Sequence, residues 1–229
     1  MEIIVPAAGL STRYNSNKPK YLLFDADGQL MLVGAVKPFQ ERYPITIGIL
    51  REHDQAFGVQ ELIASQIPTA RVVILEQRTA GPADTVYQII RKSGITGEIF
   101  IKDCDSFFNY SYQPGNVICT TRVGDHETVT NLAAKSFVVV NDQGIVLDIV
   151  EKRIVSDIFC VGGYQINQAE IFARIFEQLQ DMTSEIFVSH IIQQMVAQGE
   201  IFVHNTVSEW TDVGTITEWH AYNAKLTNK

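Results

Sequence analysis

Cysteine is scarce and scattered: Cys104, Cys119 and Cys160 are the three in 229 residues, with no C-x-x-C pair. That usage excludes a disulfide framework and points to reduced thiols. No apolar run approaches the roughly 18 residues that a membrane span requires. Positive charge is in short supply, 18 Lys and Arg against 26 Asp and Glu, a formal net charge of −8. Such a balance argues against nucleic acid or an anionic membrane as partner. A Pro/Gly/Ser-rich linker, a charge block and an internal repeat are all missing, so residues 1–229 read as one continuous domain. Neither a G-x-S-x-G elbow nor a P-loop lysine motif occurs, and His53, His126, His190, His204 and His220 show no metal-ligand spacing. Acid is absent where base gathers: between Ile3 and Phe24 there is no Asp or Glu, yet Arg13, Lys18 and Lys20 lie there.

What is present describes a globular chain with a full interior, 46% hydrophobic and 19% charged. Residues 1–6 read as a core strand rather than the basic start of a signal peptide, so the expected location is the cytoplasm. Apolar runs bounded by turn signals recur at 2–6, 45–50, 71–75 and 98–102, separated by helical spacing near 30–42, 53–66 and 82–92. Short buried strands alternating with helices indicate parallel pairing in an α/β sheet. The second half mixes in antiparallel candidates: 116–123, 137–150 folded at Asn141-Asp142-Gln143-Gly144, 158–166 and 201–207. Helical faces follow at 169–179, 186–196 and 215–225.

The loop after the first strand carries the strongest functional signal. Ala7, Ala8 and Gly9 let backbone approach a ligand closely, and Ser11 and Thr12 add hydroxyls. Arg13, Lys18 and Lys20 then supply countercharge for phosphate. Asp103-Cys104-Asp105 leaves an apolar strand, and two such carboxylates suit a hard cation that shares its shell with substrate phosphates; a loop-starting acid pair is the plainer reading. Asp212, in Glu209-Trp210-Thr211-Asp212-Val213-Gly214-Thr215, stands where a strand gives way to a helix, and by spacing alone helix capping by Asp212 or Thr215 is favoured. Glu151-Lys152-Arg153 is either a solvated strand end or, with Gly162-Gly163-Tyr164, a second phosphate site. Gln77 opens a strand-to-helix loop that runs to Asp84, with Pro82 expected at the helix start; its amide suits a base edge or plain solvent.

Together these segments resemble the sugar-1-phosphate nucleotidyltransferase superfamily, compact phosphocholine-type cytidylyltransferases included. The family opens with A-A-G-x-G-[ST]-R and then P-K; this chain has Ala7-Ala8-Gly9-Leu10-Ser11-Thr12-Arg13 and Pro19-Lys20. The likeness continues in order through Gln77, Gly81 to Thr85, Asp105, Glu151-Lys152, Gly162-Gly163-Tyr164 and Trp210 to Thr215, nearly the whole chain. It departs at Ser11, where the family has glycine, and at Asp103, where many relatives lack an acid.

The resemblance implies a single-domain, Rossmann-like (GT-A-like) three-layer α/β fold around a central mixed, mostly parallel sheet. It further implies a Mg²⁺-dependent enzyme that transfers a nucleoside monophosphate from CTP, UTP or dTTP to a small phosphorylated acceptor, releasing pyrophosphate. The acceptor class, sugar 1-phosphate or phosphocholine-like, stays open, as does a homo-oligomeric state. Supply of a precursor for cell-surface polysaccharide is the expected context. By the same resemblance Ala7, Ala8, Gly9, Ser11, Thr12, Arg13, Lys20, Gln77, Gly81, Asp84, Thr85 and Asp103 would bind nucleotide. Asp105 and Asp212 would hold Mg²⁺, while Glu151, Lys152, Gly162, Gly163 and Tyr164 would face the acceptor. Arg13, Lys20, Asp105 and Lys152 would carry catalysis by charge stabilisation. Two other classes bear weighing: a nucleotide-binding module without turnover, and a dinucleotide-dependent oxidoreductase, which the missing G-x-G-x-x-G disfavours.

Overall fold

The computed structural model describes residues 1–9, 11, 14, 18–126, 129–181 and 185–227. Its strands are β1 (Glu2–Ala7), β2 (Ile45–Leu50), β3 (Arg71–Leu75), β4 (Ile99–Lys102), β5 (Ser106–Asn109), β6 (Asn116–Arg122), β7 (Phe137–Val140), β8 (Val146–Val150), β9 (Ile158–Ile166), β10 (Phe202–Thr206) and β11 (Ser208–Asp212). Its helices are α1 (Met31–Val36), α2 (Arg51–Phe57), α3 (Val59–Gln66), α4 (Pro82–Ser93), α5 (Ala169–Leu179), α6 (Val188–Ala197) and α7 (Ile216–Thr227).

Alternation along β1 sets the architecture. Ile3 and Val5 pack into one apolar cluster and Ile4 into another, all without exposed surface. In β4, Ile99 and Ile101 join the Ile4 side and Phe100 the Ile3 side. A sheet buried on both faces needs a helical layer on each. One layer comes from α4, α5 and α6 through Val86, Ile89, Phe172, Ile175, Ile191 and Met195. The other comes from α1 and α3 through Leu32, Val33, Val36, Val59 and Ile63. The result is the expected three-layer fold.

Strands of the main sheet run in the order β10-β6-β9-β4-β1-β2-β3, with the β7–β8 hairpin joined through β9. Parallel pairs link β1 to β2 and β4, β2 to β3, and β10 to β6. β9 pairs antiparallel with β4 and β6, so along that order it alone is reversed. The expected centre, parallel and then mixed toward one side, is what forms. Among the described residues no helix is long and apolar enough to cross a membrane.

Departures from the sequence reading have local causes. The helix expected at 53–66 is two, because Gly58 adopts the left-handed φ of 61° and ends α2 before α3 begins. The 30–42 helix is regular only to Val36 and continues as turns. A short antiparallel ribbon, β5 with β11, escaped the periodicity because its strands are short and only half-buried on one side.

Phe100 anchors the face opposite α4, with ring centroids 5.0 Å from Phe39 and 4.7 Å from Tyr110. Phe100→Ala should lower unfolding free energy by about 3–5 kcal/mol, read as a shift of the denaturant midpoint at constant slope.

Candidate active site

Beyond the carboxyl ends of β1, β3 and β4, where open α/β sheets hold their ligands, lies a cleft of about 740 Å³. Its first wall is the turn after β1. Ala7, Ala8, Gly9 and Ser11 line it. Ser11 takes a left-handed φ of 54°, the conformation that glycine adopts most easily. Its hydroxyl oxygen accepts from the Lys20 backbone N–H at 2.8 Å, tying the two ends of the loop together. The serine thus keeps the glycine-like backbone and adds a brace. Thr12 and Arg13 lie outside the described residues.

The floor is built by a buried cation. Lys102, the last residue of β4, has no exposed surface and lies over the Phe108 ring at 4.4 Å. Its ammonium donates to the carbonyl oxygens of Asp103, at 2.7 Å, and of Ser106. Burial pushes its pKa down to about 8. Those two bonds fold the intervening turn so that Asp103 and Asp105 both reach the cleft. Asp103 donates its N–H to Gly162 in β9 at 2.9 Å. Burial, with the neighbouring Asp105 charge, pushes the Asp103 carboxyl up to about 7.

Asp212 arrives from the other end of the chain through the ribbon. It lies opposite Ser106 in the β5–β11 register, and the next residue, Val213, donates its N–H to the Asp105 carbonyl at 2.9 Å. The Tyr14 hydroxyl donates to the Val213 carbonyl, so the N-terminal loop grips the same residue. Asp105 pairs with the Lys20 ammonium and Asp212 with that of Lys135. Burial raises the Asp212 pKa, Lys135 opposes that rise, and the Asp105 charge adds to it. Of the two capping candidates that spacing offers, Thr215 is the cap: its hydroxyl oxygen accepts from the Glu218 N–H at 3.4 Å, and its own N–H donates to the Glu218 carboxylate at 2.8 Å. Asp212 is therefore turned into the cleft, its second oxygen taking the Gly214 N–H at 2.9 Å.

The far wall follows β8. Glu151 accepts from the Ser136 and Ser189 hydroxyls, both at 2.5 Å. Lys152 has a φ of 54°, donates its N–H to the Lys135 carbonyl at 3.1 Å, and holds its ammonium 3.9 Å above the Phe187 ring. Gly162 and Tyr164 complete this side, and Gly81 and Thr85 close the wall at the start of α4.

Among the described residues, three expected site residues do not line the cleft. Gln77 is exposed outside it. Asp84 braces its own loop, accepting from the Ala80 N–H at 2.8 Å. Gly163 is packed behind the wall, where a Cβ would come 2.6 Å from the Phe108 ring, so its smallness serves packing. Conversely Tyr14, Lys135, Ser136 and Ser189 went unread. Each sits in no recognisable spacing, and only the fold brings Tyr14 to Val213, Lys135 to Asp212, and Ser136 and Ser189 to Glu151.

The donor set bears on a metal. Among the described residues no group of three or more His, Cys, Asp or Glu side chains forms a ready-made cage. Two neighbouring carboxylates in a cation-lined cleft nonetheless suit Mg²⁺, which is usually held by one or two carboxylates with substrate phosphates completing the shell. Asp105 and Asp212 fit that chemistry.

A family model described as nucleotidyl transferase matches residues 17–229. The chain belongs to that family. Comparison with curated proteins finds no match by sequence. Among solved structures, this nucleotidyltransferase is similar to the nucleoside-diphosphate-sugar pyrophosphorylase from Vibrio cholerae RC9, with a TM-score of 0.82, 20% identity, and 97% and 99% of the two chains covered. It is similar to the inositol-1-phosphate CTP transferase from T. maritima at a TM-score of 0.78 and 16% identity, covering 100% and 95%. A UDP-glucose pyrophosphorylase complexed with UDP-glucose gives 0.75 and 14%, covering 100% and 99%. At these identities the likeness is one of fold.

Close approach at Gly162 is testable. A Cβ there would lie 2.5 Å from Asp103 Oδ2, at a φ of 79°. Gly162→Ala should destabilise the nucleotidyltransferase by about 1–3 kcal/mol. Adding Asp103→Gly should return part of that loss, with a coupling of at least about 0.5 kcal/mol in a double-mutant cycle. Strict additivity in denaturant titrations would show that the two residues do not press on one another.

Proposed function

We propose that the chain catalyses Mg²⁺-dependent transfer of a nucleoside monophosphate from CTP, UTP or dTTP to a small phosphorylated acceptor, with release of pyrophosphate. One observation carries the reading: Asp105 and Asp212, from distant parts of the chain, stand side by side in a cleft whose other walls are the β1 turn with Lys20 and the Glu151-Lys152 corner. A pure binding module has no need of paired carboxylates set between two separate cationic walls.

In the proposed reaction an acceptor phosphate oxygen attacks the α-phosphorus of the nucleotide in line. A new phosphorus–oxygen bond forms to the acceptor, and the bond to the β-phosphate oxygen breaks, its electron pair leaving with pyrophosphate. Both reacting phosphates are ionised, so the step needs no general base. Two polyanions must meet, and the barrier falls through positioning and countercharge. Ala8 and Gly9 present backbone to base and ribose. Lys20, together with Arg13, neutralises the triphosphate and the departing pyrophosphate. Lys152 holds the acceptor phosphate, leaving the Phe187 ring to do so. Glu151, aimed by Ser136 and Ser189, accepts from acceptor hydroxyls or an acceptor ammonium. Asp105 and Asp212 would hold Mg²⁺, which supplies Lewis-acid countercharge to the phosphate oxygens.

The acceptor is a sugar 1-phosphate or a phospho-alcohol of similar size, and the product is an activated precursor for a later transferase. The structural neighbours include both a nucleoside-diphosphate-sugar pyrophosphorylase and an inositol-1-phosphate CTP transferase, which supports leaving both acceptor kinds open. Cell-surface polysaccharide is the use such precursors would serve, and the proposed location is the cytoplasm.

Purified protein with Mg²⁺, each nucleoside triphosphate and each acceptor should release pyrophosphate with one pair. Asp105→Asn and Asp212→Asn should each cut that rate by at least about a hundredfold with unchanged circular dichroism; a near-normal rate would remove that residue from the metal site. Lys152→Ala should raise the acceptor KM by about ten- to a hundredfold while leaving the nucleotide KM within a few-fold, and the opposite pattern would overturn its assignment. A thermal-shift panel of nucleotides identifies the base, since ligand at about 100 times its Kd adds roughly 2.7 kcal/mol.

A further inference from the structure

We propose that Lys135 is a phosphate ligand of this cleft, stored on Asp212 and transferred to a substrate phosphate oxygen when a divalent cation takes that carboxylate. The inference rests on the preceding reading that Asp105 and Asp212 hold the cation. Its own grounds are geometric and electrostatic.

The backbone of Lys135 is fixed on both sides. Its N–H donates to the Leu132 carbonyl at 3.0 Å, and its carbonyl accepts from the Lys152 N–H at 3.1 Å. Ser136, next in sequence, is held on Glu151. The residue is therefore built into the acceptor wall. Only its side chain, four rotatable bonds long, is left to choose a partner, and such a chain can change partner without backbone movement. The ammonium is on Asp212 and lies 5.6 Å from the Trp210 ring centroid, with 20% of the side chain exposed.

Charge balance decides what a cation does to this arrangement. Among the described contacts Lys20 offsets Asp105 and Lys135 offsets Asp212. A divalent ion held by both carboxylates supplies the same two charges, so two ammonium groups become surplus in a closed, partly desolvated space. Substrate phosphate oxygens are the groups that arrive with the ion and can take them up. Lys20 faces the triphosphate end. Lys135, backbone-bonded to Lys152, faces the point where triphosphate and acceptor phosphate must meet. It would contact substrate, and loss of its charge would be felt in phosphate affinity rather than in the fold.

The test compares Lys135→Met and Lys135→Arg with the unsubstituted protein, using Mn²⁺, inorganic pyrophosphate and glucose 1-phosphate or phosphocholine as probes in isothermal titration. Lys135→Met should bind Mn²⁺ alone several-fold more tightly, because a competitor for Asp212 is gone, and should bind one of the phosphate probes with Mn²⁺ at least about tenfold more weakly. Weakening of pyrophosphate places Lys135 on the nucleotide side, and weakening of the phosphomonoester places it on the acceptor side. Lys135→Arg should retain most of the phosphate affinity. Trp219→Phe leaves Trp210 as the sole tryptophan of the two in the chain, and its emission should change on adding Mn²⁺ with the favoured phosphate, except when Lys135→Met is also present. If Lys135→Met weakens Mn²⁺ binding and leaves both phosphate affinities unchanged, the lysine merely props Asp212 and the proposal is overturned. If the unsubstituted protein neither binds Mn²⁺ nor releases pyrophosphate, the functional reading fails and takes this proposal with it. If it does both while Lys135→Met matches its phosphate affinities, the Lys135 assignment falls alone.

Discussion

Like charges gathered at one end of a cleft must be countered, and that repulsion governs how this molecule is built. Asp103, Asp105 and Asp212 gather beyond the carboxyl end of β4, where the Asp105 charge raises both of the other carboxyls. In a partly desolvated site carboxylates this close are costly unless cations stand among them. The chain answers with Lys20 on Asp105, Lys135 on Asp212, and the buried Lys102 beneath the turn. Burial and the Asp105 charge push the Asp103 carboxyl up to about 7. Each of the two outer acids, Asp105 and Asp212, is thereby matched with a lysine across the cleft.

The ribbon β5–β11 is the mechanical part of the same answer. Neither strand belongs to the main sheet, and their joint effect is to carry Asp212 to Ser106 and Val213 to Asp105. Tyr14 fastens the N-terminal loop to the same point. Val213 thus joins the N-terminal loop, through Tyr14, to the Asp105 backbone. Lys102 does comparable work from below, spanning the turn from Asp103 to Ser106.

Much of this was legible in the residues, and the limits have physical reasons. Buried strands such as β2 and β9 declare themselves by continuous apolar runs, and the strand–helix alternation fixed the layer order. Asp105 could be read because it leaves a core strand at the ligand end of a sheet. Asp212 could not be read by spacing, since an acid before a helix has the same appearance whether it caps or faces a cleft. Deciding between those needed the Thr215–Glu218 pair, which does the capping. Gln77 and Asp84 looked alike as polar loop residues, but one is left in solvent and the other is consumed by bracing its own loop. Gly162 and Gly163 looked equivalent, and only side-chain direction in β9 separates the one pressed on Asp103 from the one packed on Phe108.

Lys135 marks the class of residue that one-dimensional reading misses. A lysine at the start of a strand is normally a solvated end, and nothing in its neighbourhood suggests phosphate. Its meaning comes from three contacts made at once: the Asp212 carboxylate, the Lys152 backbone and the Trp210 ring. Those contacts belong to β11, which supplies both Asp212 and Trp210, and to the segment after β8. Contacts shared among such segments are specified by the topology that joins them, so the far wall of the cleft, assembled from the segments around β8, β9 and α6, is harder to read than the wall beside β1, which one loop largely writes.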